Sequence, residues 1–283
     1  MHGRAVALGA GTVLNALATG VGSAFAIDAE TTATVELDDS GTVTGEVAED
    51  ADADTRLIER CVELAVERYG DGEAYGGRVR TESEVPMAAG LKSSSAAANA
   101  SVLATAAALG ADPDRVEACR LGVRAARETG VAVTGAFDDA SASMLGGVTV
   151  TDNREDELLA RDEVEWDVLV WTPEERAYSA DADVERCENV APMAELVADL
   201  AVEGRYAEAM TVNGLAFSAA LGFPADPAVE AMPHAAGVSL SGTGPSVVAV
   251  GDRSDLERVR DLWDRRDGRT RLLTTRTDGA RTL

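Results

Sequence analysis

Apolar and polar positions alternate over residues 4–8 and 31–37 closely enough to predict two strands. Asp38-Asp39-Ser40-Gly41 then turns the chain into a third strand over 42–47. Between the first two strands, residues 9–22 form a glycine-spaced segment in which Asn15 and Thr19 are available for polar contacts. Leu57, Cys61, Leu64 and Ala65 recur at helical spacing, and Tyr69-Gly70 ends that helix. Over 78–85 the period is two: Val79, Thr81, Ser83 and Val85 share one side, and Arg80, Glu82 and Glu84 the other. An Ala- and Leu-rich helix is expected over 93–109. Asp112, as N-cap, and Pro113 start the next, which runs to about residue 128.

The second half reads in the same way. Strands are predicted at 148–151, 164–171, 237–240, 247–250 and 270–275, and helices at 193–202, 206–221, 228–232 and 253–265. The charge-dense stretch 152–162 predicts a boundary between domains 1–157 and 158–283.

Composition narrows the classes of function. The 283 residues suffice for one large or two modest domains. A net charge of −25 argues against nucleic acid and anionic membranes as partners. Abundant Asp with Arg in place of Lys matches the proteins of extreme halophiles, where salt screens charge over a few ångströms. Cys61, Cys119 and Cys187 are far apart, and His2 and His234 lack ligand spacing, so buried reduced thiols are expected and no His or Cys metal site. The start of the chain imitates a secretion signal up to Ala24-Phe25-Ala26. Thr12, Asn15, Thr19 and several glycines make it too polar, and a cytoplasmic protein without a membrane span is expected.

The candidate chemistry centres on the loop between the 78–85 strand and the following helix. It reads Pro86-Met87-Ala88-Ala89-Gly90-Leu91-Lys92-Ser93-Ser94-Ser95-Ala96, and Lys92 is the only lysine in the chain. Free N–H groups at a helix start form an anion site, and a lysine adds a point charge to it. The Walker A spacing is absent. On these residues alone Lys92 is either a phosphate ligand or a solvated charge. Asp138-Asp139, set among small residues before Gly146-Gly147, is either a helix cap or a site. Ser241-Gly242-Thr243-Gly244-Pro245-Ser246 is a second glycine-rich loop.

The N-terminal glycine-spaced segment 9–22, the loop with Pro86-x-x-x-Gly90-Leu91-x-Ser93-Ser94, and the 241–246 loop, in this order, resemble the galactokinase, homoserine, mevalonate and phosphomevalonate (GHMP) kinase superfamily over about residues 6–250. The Lys92-Ser93-Ser94-Ser95 loop, the phrase Thr134-Gly135-Ala136-Phe137-Asp138-Asp139, and Ala18-Thr19-Gly20 resemble the archaeal shikimate kinases most. The resemblance implies an α+β, two-domain GHMP kinase fold. An N-terminal, ATP-binding domain would be like ribosomal protein S5 domain 2, and the C-terminal one ferredoxin-like. It implies ATP-dependent phosphorylation of shikimate to shikimate 3-phosphate, in aromatic amino-acid biosynthesis. Homoserine or another small alcohol as acceptor, or a non-catalytic metabolite sensor, stays open beside it.

The site residues implied by the resemblance follow motif by motif. Pro86 to Ala96 would wrap the ATP phosphates, with Lys92 neutralising charge. Asp139, seven residues before Gly146, would be the catalytic acidic residue. Ser94 and Glu128, the latter eleven residues before Asp139, would hold Mg²⁺. Asn15, Asp138, Gly242 and Gly244 would face the substrate. Apart from the resemblance, Arg176 is either the bidentate partner of a substrate carboxylate or a surface arginine. Val21 stands where that family is expected to carry a basic residue, so a charge contact there is in doubt.

Overall fold

The computed structural model describes residues 1–72, 75–132, 136–174 and 183–283. Its first sheet is built on a long antiparallel pair, β1 (His2–Leu14) and β2 (Val21–Asp38). Both strands run well beyond the expected 4–8 and 31–37. Among the added residues are Gly3, Gly9, Ala10, Gly11, Gly22, Ser23, Ala24, Ala26 and Ala29, which alternate too weakly to announce a strand. They are buried, and their small side chains let helices pack close.

On its other side β2 pairs with β4 (Gly76–Ser83) near one end and with β5 (Val148–Asp152) near the other. β3 (Val43–Val47) lies parallel to β4, and β6 (Glu157–Asp162) antiparallel to β5. Four helices lie against this sheet: α1 (Arg56–Tyr69), α2 (Ser93–Ala108), α3 (Arg115–Thr129) and α4 (Phe137–Leu145). Leu57, Ile58, Leu64, Leu103, Phe137 and Met144 fill the space between. Each large side chain so buried contributes roughly 1.5–3 kcal/mol.

One local expectation changes. Asp114, not Asp112, caps α3: its carboxylate accepts from the Glu117 N–H at 2.9 Å. Asp114-x-x-Glu117 has the spacing of a capping box, whereas Asp112 is left exposed. The expected boundary at 157/158 falls at the start of a strand. Residues 157–162 form β6, an edge strand of the first sheet, and their charges face solvent instead of marking a linker.

The chain enters the second sheet with β7 (Asp167–Thr172). After α5 (Val184–Glu188), α6 (Ala191–Val202), α7 (Tyr206–Leu221) and α8 (Asp226–Ala231) come β8 (Gly237–Leu240) and β9 (Val247–Gly251). α9 (Arg253–Trp263) and β10 (Arg269–Thr274) complete the unit. The strand order β10-β7-β9-β8, antiparallel throughout, is that of a ferredoxin-like sheet. The tail then returns as β11 (Arg281–Thr282) to pair with β1, so the C-terminal unit is not a continuous run to the end.

Leu169, Met210, Phe217, Val248 and Trp263 form the second core, which continues into Leu14, Phe25 and Ile27 of the first sheet. This shared apolar seam holds the two sheets in register across the cleft. Cys61, Cys119 and Cys187 are free and buried. Among the described residues no helix is long and apolar enough to cross a membrane.

Candidate active site

The loop that leads into α2 has an unusual backbone. Ala88, Gly90 and Lys92 all have positive φ, at 53°, 75° and 66°. For Ala and Lys this left-handed conformation is uncommon, and strain of this kind concentrates at functional sites. At Gly90 it is combined with a close approach: a Cβ there would come 2.1 Å from the Ser241 carbonyl oxygen. The loop is thereby pressed against the glycine-rich 241–246 loop of the second unit, and the Ser241 hydroxyl donates to the Gly90 carbonyl at 2.8 Å.

Together these loops wall a cavity of about 720 Å³. Met87, Ala88, Gly90, Lys92, Ser93 and Ser94 line it, whereas Ala89 and Leu91 turn into the core. Pro86, Ser95 and Ala96 are not part of the lining. The opening of α2 offers backbone N–H groups beside Ser93 and Ser94, an arrangement suited to phosphate. Val47, Leu57, Ile58, Ala97, Val131 and Ala132 add an apolar wall. Glu49, Asp50, Asp52 and Asp54 line part of the same cavity.

Lys92 is not the exposed loop charge that its sequence context allowed. Its side chain is 5% exposed, and its Nζ lies 2.8 Å from Asp139 Oδ1. A Cβ on Gly242 would also come 2.8 Å from Nζ, so the ammonium sits between the acid and the second loop. Asp138 and Asp139 occupy the first turn of α4, where the helix dipole favours negative charge. Both line the cavity. Asp138 is buried, and its Oδ1 accepts from Asn153 Nδ2 at 2.7 Å. Burial, and then the neighbouring Asp139 charge, push its carboxyl well above the usual range; Lys92 and Asn153 oppose them.

The polar residues of the first segment act as ties. Asn15 lines the cavity, but its Nδ2 donates to the Gly242 carbonyl at 2.8 Å and its Oδ1 accepts from the Leu17 N–H at 2.9 Å. Its own N–H donates to Asn213 Oδ1 of α7 at 2.9 Å. Thr12 Oγ1 accepts from the Gly242 N–H at 2.7 Å. Thr12, Asn213 and Asn153 were not singled out in the sequence, because their partners lie far along the chain. Gly244 packs against the Phe223 ring and is not part of the lining, so only Gly242 of the two faces the cavity.

Glu128 is the expected residue that the structure does not bring in. Its carboxylate accepts from Arg60 at 2.6 Å and from Arg124 at 2.7 Å, and it is absent from the cavity wall. These two arginines hold it below the usual carboxylate range. The spacing to Asp139 is met along the chain, but the side chain points to the outer face, while the next residue, Thr129, lines the cavity. Val21, half-exposed at the start of β2, is also absent from the wall. Arg176 lies outside the described residues.

Comparison with known proteins identifies the family and the fold. The family described as GHMP kinases N terminal domain matches residues 56–147. A shikimate kinase of Halobacterium salinarum is 66% identical over 285 aligned positions, covering all of both chains. A shikimate kinase of Methanosarcina mazei is 50% identical over 93% of this chain and 90% of its own. In fold, Methanococcus jannaschii mevalonate kinase superposes with a TM-score of 0.78 at 12% identity, covering 97% of this chain and 98% of that one. Homoserine kinase from Cytophaga hutchinsonii superposes with 0.74 at 16%, covering 100% and 97%. The chain therefore belongs to the archaeal shikimate kinase family and has the α+β fold of the GHMP kinases.

Proposed function

We propose that this chain is a shikimate kinase, transferring the γ-phosphoryl group of ATP to the 3-hydroxyl of shikimate. The observation that carries this reading is the 66% identity, end to end, with a shikimate kinase. The buried Lys92–Asp139 pair on the wall of a nucleotide-sized cavity supports it at the level of chemistry.

Phosphoryl transfer needs positioned phosphates and an oriented hydroxyl more than covalent chemistry by the protein. In the proposed arrangement the phosphates lie along Met87 to Ser94 and the head of α2, with the base against the apolar wall. Asp139 orients the attacking hydroxyl and takes its proton as oxygen bonds to the γ-phosphorus and ADP departs. Lys92 offsets the charge that spreads over the transferring group. Asp138 accepts a second substrate hydroxyl. Asn15 acts mainly by holding Gly242 in place, and Arg176 is the proposed partner of the substrate carboxylate.

Mg²⁺ suits these donors in part. When bound with ATP it would neutralise phosphate charge, and such ions take few protein ligands besides phosphate oxygens and water. Ser94, on the cavity wall, is proposed as one. Glu128 is proposed as the other and must exchange Arg60 and Arg124 for the ion. We also take residues before β7, with the returning β11, as one domain and the rest as the second. Incubation with ATP and shikimate should yield ADP and a product heavier by one phosphoryl group. A folded protein that gives no such product contradicts the reading.

A further inference from the structure

Asn153 follows β5 directly, in the charge-dense stretch, and its side chain is 2% exposed. Nothing in the sequence marks it, yet its amide is matched to one residue. Nδ2 donates to Asp138 Oδ1 at 2.7 Å, and Oδ1 accepts from the Asp138 N–H at 3.0 Å. The Asp138 N–H can only donate, which fixes the amide oxygen on its side and Nδ2 towards the carboxylate; the same Oδ1 also accepts from the Thr151 hydroxyl at 2.8 Å. The Asn153 backbone is held as well. Its N–H donates to the Gly20 carbonyl at 2.8 Å, and its carbonyl accepts from Arg127 at 2.9 Å.

The opposite side of Asp138 is closed by β2. A Cβ on Gly22 would come 2.4 Å from Asp138 Oδ2, so the bare backbone there is what lets the carboxylate lie flat. One carboxylate oxygen is thus capped by an amide, and the group as a whole is wedged between Asn153 and Gly22 beside the cavity. We infer that Asn153 is a positioning residue for the reaction. It fixes the orientation of Asp138, so that the carboxylate keeps a single presentation to the cavity, and ties that orientation to the Gly20 turn. This rests on the proposed role of Asp138 in holding substrate.

The amide donor also favours the ionised form of Asp138. Among the described residues, the charged groups that face Asp138 are Asp139 from its own helix and Lys92 from the head of α2. β2 presents Gly22 and the segment after β5 presents Asn153, neither charged. Loss of the donor therefore raises the pH at which Asp138 ionises.

The test is a double-mutant cycle on the full chain in molar KCl, with ATP and shikimate. Asn153→Ala should lower kcat/KM for shikimate by roughly ten-fold or more while KM for ATP stays within about two-fold. The acid limb of its pH profile should move up by about one unit. In an Asp138→Ala background the same substitution should cost less than about two-fold, because its partner is gone. Equal losses in both backgrounds, or an unmoved acid limb, overturn the inference. Asn153→Asp, of the same size, carries the test if the alanine variant does not fold. A second acid beside Asp138 should move the limb further up, and an unmoved limb again overturns it. Absence of shikimate turnover in the parent protein would instead reject the proposed function.

Discussion

The ammonium of Lys92 lies 2.8 Å from the carboxylate of Asp139, with the lysine side chain 5% exposed and the aspartate 18%. One acid and the chain's single lysine are joined across the start of two helices, α2 and α4. Removing one member of a buried pair leaves the other uncompensated, which costs about 3–5 kcal/mol. Lys92→Met and Asp139→Asn should therefore each lower the melting temperature, and the double variant should lose less than the sum. Each should also reduce kcat by roughly 100-fold or more, as a charged stabiliser in a dry site is lost. Melting curves and steady-state rates check both. Additive stability losses would mean that the pair is not coupled.

Asp138 predicts a dependence on pH. Its carboxyl is pushed up to about 7, against an ordinary 3.8, chiefly by burial and then by Asp139. Between these values the folded chain holds a proton that the unfolded chain has released, so this group lowers stability as pH rises, with the full cost above 7. Asp138→Asn, whose amide oxygen can still accept from Asn153, should raise the melting temperature at pH 8. The gain is roughly 2–4 °C for each kcal/mol relieved, and it should shrink towards pH 4. A difference that grows towards acid pH would contradict the sign.

Glu128 separates a spacing along the chain from a position in space. Its present partners are Arg60 and Arg124 on an exposed helix end, and such pairs contribute little to stability. Glu128→Gln should leave the melting temperature nearly unchanged and raise the Mg²⁺ concentration for half-maximal rate. Asp139→Asn should abolish turnover while ATP with Mg²⁺ still binds. Metal titrations that do not distinguish the two variants would reject this division of roles.

Much of the architecture was legible because helices such as α1 and α9 carry a clear apolar period and the phosphate-like loop carries Gly and the lone Lys92. The length of β1 and β2 was not, since Gly and Ala do not alternate visibly and are strands only because α2 packs on them. The capping role of Asp114 was open to its spacing from Glu117 but was assigned to Asp112. In the site, Lys92, Ser94, Asp138 and Asp139, each singled out from a local motif, line one cavity. Asn153 was hidden, because a hydrogen bond spanning fifteen positions leaves no period. Glu128 lies off the cavity wall because spacing fixes where a residue lies on a helix, not which neighbour its long side chain takes.

Salt should govern stability. The charge of −25 is not offset by exposed pairs such as Arg78 with Glu46 and Arg205 with Glu208, each of which contributes little. Melting temperature should fall steeply as KCl is lowered from molar to dilute. The change should track ionic strength, because screening is what is lost. A melting temperature that does not change across that range would contradict this.

The central claim is that a shikimate hydroxyl is the phosphoryl acceptor. Homoserine presents an ammonium and a carboxylate on a flexible chain, whereas shikimate presents a carboxylate and a rigid ring of hydroxyls. A site built to bond hydroxyls rejects a ligand that leaves its polar groups unpaired, at roughly 1–3 kcal/mol for each. The most direct measurement is ADP release in high salt with ATP and each alcohol in turn. Stimulation by shikimate and not by homoserine is the predicted result. Stimulation by homoserine alone, or by neither, would contradict it.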